Sequence, residues 1–337
     1  MKSFQTYSEK MLPAIEEQLK STLNAYNDPK YKELYTILKY HMGWEGDGAG
    51  VKAQGKRIRP LLLLLSAEAT GADWHTYLPL AAAIELVHNF SLLHDDIEDN
   101  SDLRRGRQTA WKKWGIPQAL NAGDLLYTIA NVSFLQNSNG LSEALLLKAA
   151  VQLHNTCIRL TQGQYLDMDF ESIDDVALED YWAMIEGKTA ALIATSIAVG
   201  ALQADDTVQQ QMHEFGRCIG LAFQIQDDIL GLWGDTAVTG KSNASDLISR
   251  KKSFPILYGL QNNLDFRNIW FTTPVFSNEA ATTASDLLRT DGTYAYARKQ
   301  VTDHTQCALA SLKETRLKNS AIDALEQFAA QLLTRDN

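Results

Sequence analysis

Four acids and two arginines within a short span carry the first chemistry of this chain. Asp95, Asp96, Glu98 and Asp99 follow directly on an apolar run containing Ile84, Leu86, Val87, Phe90, Leu92 and Leu93, and Arg104 and Arg105 come soon after. At 3.6 residues per turn, Asp95 and Asp99 share one helix face. Like charges at that spacing cost a helix roughly 0.2–0.5 kcal/mol per pair, so a cation is expected to offset them. Mg2+ takes one or two carboxylates and completes its shell with water and phosphate oxygens. Paired arginines suit the same phosphates through bidentate hydrogen bonds.

A second stretch, FQIQDDILGLWGD at 223–235, repeats the pattern. Asp227 and Asp228 come near the end of an apolar helix, but the residue one turn after Asp227 is Gly231 rather than an acid. Asp235, two turns on, is the candidate to restore the ligand. Two such acidic ends would face each other across a cavity with a charged rim and an apolar interior, a shape that fits an amphiphile with a diphosphate head. By contrast, Asp174-Asp175 and Asp205-Asp206 read as loop or helix-start acids without chemistry. Basic residues group beside the acids: Lys56, Arg57 and Arg59; Arg104, Arg105 and Arg107; Lys241, Arg250, Lys251 and Lys252.

The elements that position these groups read at helical period throughout, with no convincing strand. Met11, Ile15, Leu19 and Leu23 form one face of a first helix. The glycine-rich loop at 43–50 ends a second, and Pro60 fits the first turn of the next. A central helix spans 79–100, followed by a polar loop over 101–115. Further helices cover 117 onward, 141–169, 177–202 and 207–233, and three more fill 254–334. The chain is therefore expected to be all-α, one large helical bundle with a central apolar cavity. No linker divides it, so 1–337 reads as a single domain.

Composition narrows the function. A net charge of −10 argues against nucleic acid as a partner. Cys157, Cys218 and Cys307 lie far apart, show no metal-ligand spacing, and in their odd number suit a reducing compartment. The start lacks the apolar core of a signal peptide. The longest apolar segment, 190–202, is too short to span a bilayer. A cytoplasmic protein without an integral membrane span is expected.

Five ordered motifs then carry a resemblance: GKRIRP at 55–60, LLHDDIEDNSDLRRG at 92–106, GKT at 187–189, FQIQDD at 223–228 and TGKSNASD at 239–246. Together they resemble the trans-isoprenyl diphosphate synthases, the polyprenyl synthetase family, over about residues 50 to 255. The resemblance implies the all-α isoprenoid synthase fold and Mg2+-dependent head-to-tail condensation of isopentenyl diphosphate with an allylic diphosphate. It makes Asp95, Asp99 and Asp227, with neighbours Asp96, Asp228 and Asp235, the ligands of three Mg2+ ions. Lys56, Arg59, His88 and Arg105 match the isopentenyl diphosphate site. Arg104, Lys188 and Lys241 match groups that grip the allylic diphosphate. Thr189, Gln224 and Phe223 resemble the groups around the nascent carbocation, and Lys251 or Lys252 resembles a basic lid residue. A homodimer is implied by the family alone.

The resemblance further implies that Val87, Phe90 and Ser91, one to two turns before Asp95, are where bulk stops the growing chain. A large Phe90 with a small Ser91 points to geranylgeranyl diphosphate, with farnesyl diphosphate next. A class I terpene cyclase would share the acids but has no use for GKRIRP or Arg105. A head-to-head condensing enzyme would add a further step on the same fold. A non-catalytic partner subunit would explain Gly231 but not the intact Asp95, Asp99, Asp227, Lys188 and Lys241.

Overall fold

The computed structural model describes residues 3–136, 140–234 and 244–333. They form an all-α protein divided into two compact units, and most of the crossings of the chain from one unit to the other fall within helices.

The first unit holds residues 1–155, 195–209 and 317–325. Its helices are α1 (Phe4–Asn24), α2 (Lys32–His41), α3 (Val51–Gln54), α4 (Ile58–Ala69), α5 (Leu78–Glu98), α6 (Ala110–Trp114), α7 (Ile116–Gln136) and the first part of α8 (Glu143–Ser172). Met11, Ile15, Leu19 and Leu23 of α1 are buried as their spacing predicts, and α1 packs on α4, α5 and α7. On α5, Ala81, Ala82, Ala83, Ile84, Leu86 and Val87 are all buried. A helix apolar on all sides belongs in a core. It also lies close along α7, where a side chain at Gly123 would fall 2.3 Å from His94 Nε2.

The second unit holds residues 156–194, 210–316 and 326–337. It contains the rest of α8, α9 (Leu178–Ile185), a π-helical turn (Glu186–Ala190), the first residues of α10 (Ala191–Gly200), whose remainder belongs to the first unit, and most of α11 (Asp206–Trp233). α12 (Ser245–Ile248), α13 (Phe254–Asn262), α14 (Leu264–Thr272), α15 (Asn278–Thr290) and α16 (Thr293–Glu314) follow, and α17 (Ser320–Leu333) enters the unit at Glu326. Phe254, Ile256, Phe266 and Trp270 form part of its core.

Four local expectations are corrected. The 101–115 loop contains a hairpin, β1 (Leu103–Arg104) on β2 (Arg107–Gln108), and then α6. The last third divides into five helices, because Asn263, Ser277 and Gly292 start new ones; the side chains of Asn263 and Ser277 accept from Phe266 N–H and Ala280 N–H. Such caps satisfy orphan N–H groups and interrupt an otherwise continuous apolar period. Cys218 of α11 and Cys307 of α16 are joined as a disulfide, 89 residues apart in sequence, with Cα atoms 6.2 Å apart. Finally, Leu178–Gly200 runs continuously for 23 residues, long and apolar enough to cross a membrane. Of its apolar window, 83% is buried inside the protein, as in a core helix.

Candidate active site

In the first unit, the basic loop before α4 is built on Arg57. This residue takes a left-handed backbone conformation (φ 48°) immediately before α4, and only 4% of it is exposed. Its Nε donates to Glu16 Oε1 (2.6 Å), Nη1 to Glu85 Oε1 (2.9 Å) and Nη2 to the Met42 carbonyl (3.2 Å). Trp44 Nε1 holds the other oxygen of Glu16 at 2.8 Å, and Asn89 Nδ2 donates to Glu85 Oε1 at 3.0 Å. Arg57 thus fixes the loop from beneath. Lys56, one residue before it, is exposed.

Arg59 and Arg105 converge on the same loop. Arg59 Nη1 lies 3.1 Å from His88 Nε2. Burial, then Arg59, Arg105 and other guanidiniums, hold the His88 imidazole well below its usual range. It is therefore neutral at pH 7, and its Nε2 lone pair accepts from Arg59. Arg105 Nη1 donates to the carbonyls of Ala53 (2.9 Å) and Gln54 (2.8 Å). A side chain at Gly55 would fall 2.6 Å from the Arg105 guanidinium, so this position (φ +82°) has two reasons to be glycine. Arg107, in contrast, is structural. It donates to the carbonyls of Tyr40, Glu45 and Asp47 and stacks on the Tyr40 ring, closing the 43–50 loop.

At the end of α5 the acids differ in environment. Arg104 Nε donates to Asp96 Oδ1 (2.7 Å) and its Nη2 to Asp95 Oδ2 (3.2 Å). Asp96 is buried, and its Oδ2 has no hydrogen-bond partner. Burial pushes its carboxyl up to about 6 despite Arg104. Asp95 is half-buried and Asp99 exposed. Below them, Phe90 meets the rings of His94 (5.0 Å) and Tyr127 (4.9 Å), Ser91 Oγ donates to the His88 carbonyl (2.8 Å), and Val87 is fully buried.

In the second unit, the GKT motif lies on the π-helical turn. Side chains at Gly163 of α8 or Gly187 would each clash with the opposing backbone, at 2.2 Å from Lys188 N and 2.5 Å from the Arg159 carbonyl. The two glycines let the backbones touch. Lys188 Nζ then reaches Asp167, one turn past Gly163 on α8. π-turns recur at functional sites because they re-aim neighbouring side chains.

Thr189 begins a relay. Its Oγ1 donates to Gln224 Oε1 (2.7 Å), and Gln224 Nε2 donates to Asp228 Oδ1 (2.9 Å). Asp228 Oδ2 accepts from Tyr181 OH (2.6 Å) and from Phe254 N–H (2.8 Å). Burial, then the Asp228 charge, raise the Tyr181 phenol well above its ordinary range. Both oxygens of Asp228 therefore face protein donors, while neighbouring Asp227 is exposed and Phe223 is half-buried. Lys252 Nζ caps the C-terminal end of α8 at the Phe170 carbonyl, and Lys251 is exposed. Asp235 and Lys241 lie outside the described residues.

The motif reading missed Asp167, Tyr181 and the Glu16–Arg57–Glu85 cluster. Glu85 is a lone acid in an apolar helical run, the one signal of its kind here; Glu16 and Asp167 lie among other acids, and Arg57 lies among other basic residues.

Comparison with known proteins agrees with the geometry. The polyprenyl synthetase family model matches residues 49–273. The (2E,6E)-farnesyl diphosphate synthase of Mycobacterium tuberculosis is 43% identical over 253 residues, covering 74% of this chain and 69% of the relative. The geranylgeranyl diphosphate synthase of the same species is 36% identical over 306 residues, covering 88% and 85%. The crystal structure of a polyprenyl synthetase from Streptomyces coelicolor superposes with a TM-score of 0.89 at 31% identity, covering 98% of this chain and all of the other. With a family model spanning two thirds of its length and relatives of this identity, the chain belongs to the polyprenyl synthetase family and is a prenyltransferase.

Proposed function

We propose that residues 1–337 act as one polyprenyl synthetase domain, elongating an allylic diphosphate with isopentenyl diphosphate head to tail and stopping at geranylgeranyl length. The observation that carries this reading is the pairing of Arg59 with His88 and of Arg105 with the Ala53 and Gln54 carbonyls, next to Lys56 of the GKRIRP loop. A cyclase, with one diphosphate to hold, has no use for it. In this reading Lys56 and the two arginines bind the isopentenyl diphosphate, and neutral His88 orients Arg59. Arg104, Lys188 and Lys241 grip the allylic diphosphate, and Lys251 serves the lid.

The donors at Asp95, Asp99 and Asp227 are hard carboxylate oxygens on half-buried or exposed side chains, which fits Mg2+. When bound, three such ions would stabilise charge on the departing diphosphate. Asp96 and Asp228 are better read as positioning residues, since Arg104 takes one and three protein donors take the other. As the allylic C–O bond breaks, its electron pair leaves with the diphosphate. The double bond of isopentenyl diphosphate then forms the new C–C bond, and the proton released returns to that diphosphate. Thr189 spends its proton on Gln224, so its oxygen lone pairs are available to the positive carbon. Cations fixed where charge develops lower the barrier selectively.

Labelled isopentenyl diphosphate offered with dimethylallyl, geranyl or farnesyl diphosphate tests the product, sized after phosphate removal. Accumulation at geranylgeranyl length from every primer is expected. The second reading, a farnesyl product, is favoured by the 43% relative and would appear as arrest one unit earlier. Phe90→Ala, which opens the contact with Tyr127, should shift the wild-type product at least one isoprene unit longer; an unchanged distribution would place the floor elsewhere.

A homodimer fits the surface of α8. Leu147, Val151, Ile158, Tyr165 and Met168 are exposed at spacings of three, four and seven, which align them on one helix face. Exposed apolar patches of this kind mark association surfaces. The double variant Leu147→Glu/Ile158→Glu should sediment as a monomer, and a dimer persisting at micromolar concentration would exclude this face.

A further inference from the structure

Cys218 and Cys307 show no metal-ligand spacing in sequence, yet folding brings both against one carboxylate. Glu214 lies one turn before Cys218 on α11, and its Oε1 is 3.3 Å from Cys218 Sγ and 3.7 Å from Cys307 Sγ. These three groups bring their ligand atoms within 4.8 Å of one another. Donors around a tetrahedral ion at about 2.0–2.3 Å stand roughly 3.4–3.8 Å apart, so both oxygen–sulfur distances suit a shared ion. A disulfide has no proton to offer a carboxylate. The convergence of Glu214 on both sulfurs therefore serves the reduced pair better than the oxidised one.

The surroundings complete the site. Arg217 Nε and Nη2 donate to the two Glu214 oxygens at 2.8 and 2.7 Å and fix the carboxylate. Its Nη2 also lies 3.9 Å from Cys218 Sγ, where the guanidinium favours a thiolate. Two thiolates and one carboxylate around a divalent ion leave one negative charge, and Arg217 balances it. His304 stands one turn before Cys307 on α16, close enough to Glu214 to act on its charge. Burial, then Arg217, hold its imidazole below the usual range. It is neutral at pH 7, the form that binds metal. Cys218 is buried, whereas Glu214, His304 and Cys307 are half-buried and leave an approach from solvent.

We propose that Glu214, Cys218 and Cys307, with His304 as fourth ligand, form a Zn2+ site between α11 and α16 that exists only when the disulfide is reduced. A dithiol supplies the two electrons and two protons that open the S–S bond, and is itself oxidised to a disulfide. Zn2+ then displaces the two thiol protons to solvent. A tetrahedral set of two thiolates, an imidazole and a carboxylate favours Zn2+ over Mg2+, which prefers oxygen ligands alone. The same two cysteines thus join the helices by a covalent bond when oxidised and by a metal when reduced.

The test is titration of Co2+, a spectroscopic substitute for Zn2+, into the full-length protein after reduction with a dithiol and its removal. Thiolate ligation appears as an intense sulfur-to-cobalt absorption, and excess Mg2+ keeps Co2+ from oxygen sites. The reduced chain should take up one Co2+ with that absorption. Zn2+ should then displace the Co2+ and raise the melting temperature of the reduced chain. Cys218→Ser and Cys307→Ser should each lose most of the absorption, and Cys157→Ser none of it. Glu214→Gln and His304→Ala should weaken uptake by at least about tenfold, the lower bound for disturbing a metal ligand's surroundings. These last two positions are half-buried and carry the test should a cysteine variant fail to fold.

No sulfur absorption in the reduced chain, or absorption undiminished in Cys218→Ser/Cys307→Ser, would overturn the proposal. Equal uptake by the oxidised chain would do the same, as would a disulfide that the dithiol fails to open in the folded protein.

Discussion

Replacing Arg57 with methionine is expected to lower stability by about 3–5 kcal/mol, the usual cost of leaving a buried charge without its partner. Arg57 binds two carboxylates at 2.6 and 2.9 Å, and its side chain and that of Glu85 are almost wholly buried. Burial alone would lower its pKa, but Glu85 and Glu16 outweigh burial and raise it above the usual arginine range. Methionine would fill much of the volume and leave both acids without their cation. The loop between Lys56 and Arg59 would lose its footing, so the KM for isopentenyl diphosphate should rise more than that for the allylic substrate. Urea midpoints and the two KM values measure this. Adding Glu85→Gln should restore part of the stability, because the change then removes both members of one pair. An unchanged midpoint in Arg57→Met would mean the cluster does not hold the loop.

The adjacent acids Asp227 and Asp228 should behave oppositely. Asp227→Ala removes an exposed carboxylate and should leave the melting temperature near wild type. If it is a metal ligand, several kcal/mol of charge stabilisation go with it, a loss of about 10²–10³-fold in turnover. Asp228→Ala instead leaves Tyr181 OH, Phe254 N–H and the Gln224 amide without their acceptor inside the protein. Unsatisfied buried donors cost about 1–3 kcal/mol each, so this variant should melt markedly lower whether or not substrate is present. Comparable turnover of Asp227→Ala and wild type at saturating Mg2+ would contradict the ligand role. A melting temperature unchanged in Asp228→Ala would contradict the positioning role.

Much of this was legible in sequence because period and motif are local properties. The α1 face, the apolar α5 and the placement of DDxxD at a helix end follow from spacing within one segment. Distinguishing Asp96 from Asp95, or Asp228 from Asp227, depends on partners eight to forty-seven residues away, Arg104 and Tyr181 among them. The pairing of Cys218 with Cys307 belongs to the same class. The polar loop over 101–115 concealed a hairpin for a related reason. Its order rests on Thr109 Oγ1 and Trp111 Nε1 converging on the Ser101 carbonyl, at 2.8 and 2.9 Å, contacts too specific for a period to reveal.

The reaction proposed for this chain is metal-assisted loss of an allylic diphosphate, followed by capture of the carbocation by isopentenyl diphosphate. Its most direct test is transfer of label from isopentenyl diphosphate to farnesyl diphosphate, followed first in chelator and then on titration with Mg2+. No transfer is expected in chelator, with recovery on adding Mg2+ and a labelled product one isoprene unit longer than the primer. Equal transfer with and without Mg2+, or release of diphosphate with no lengthened product, would contradict it.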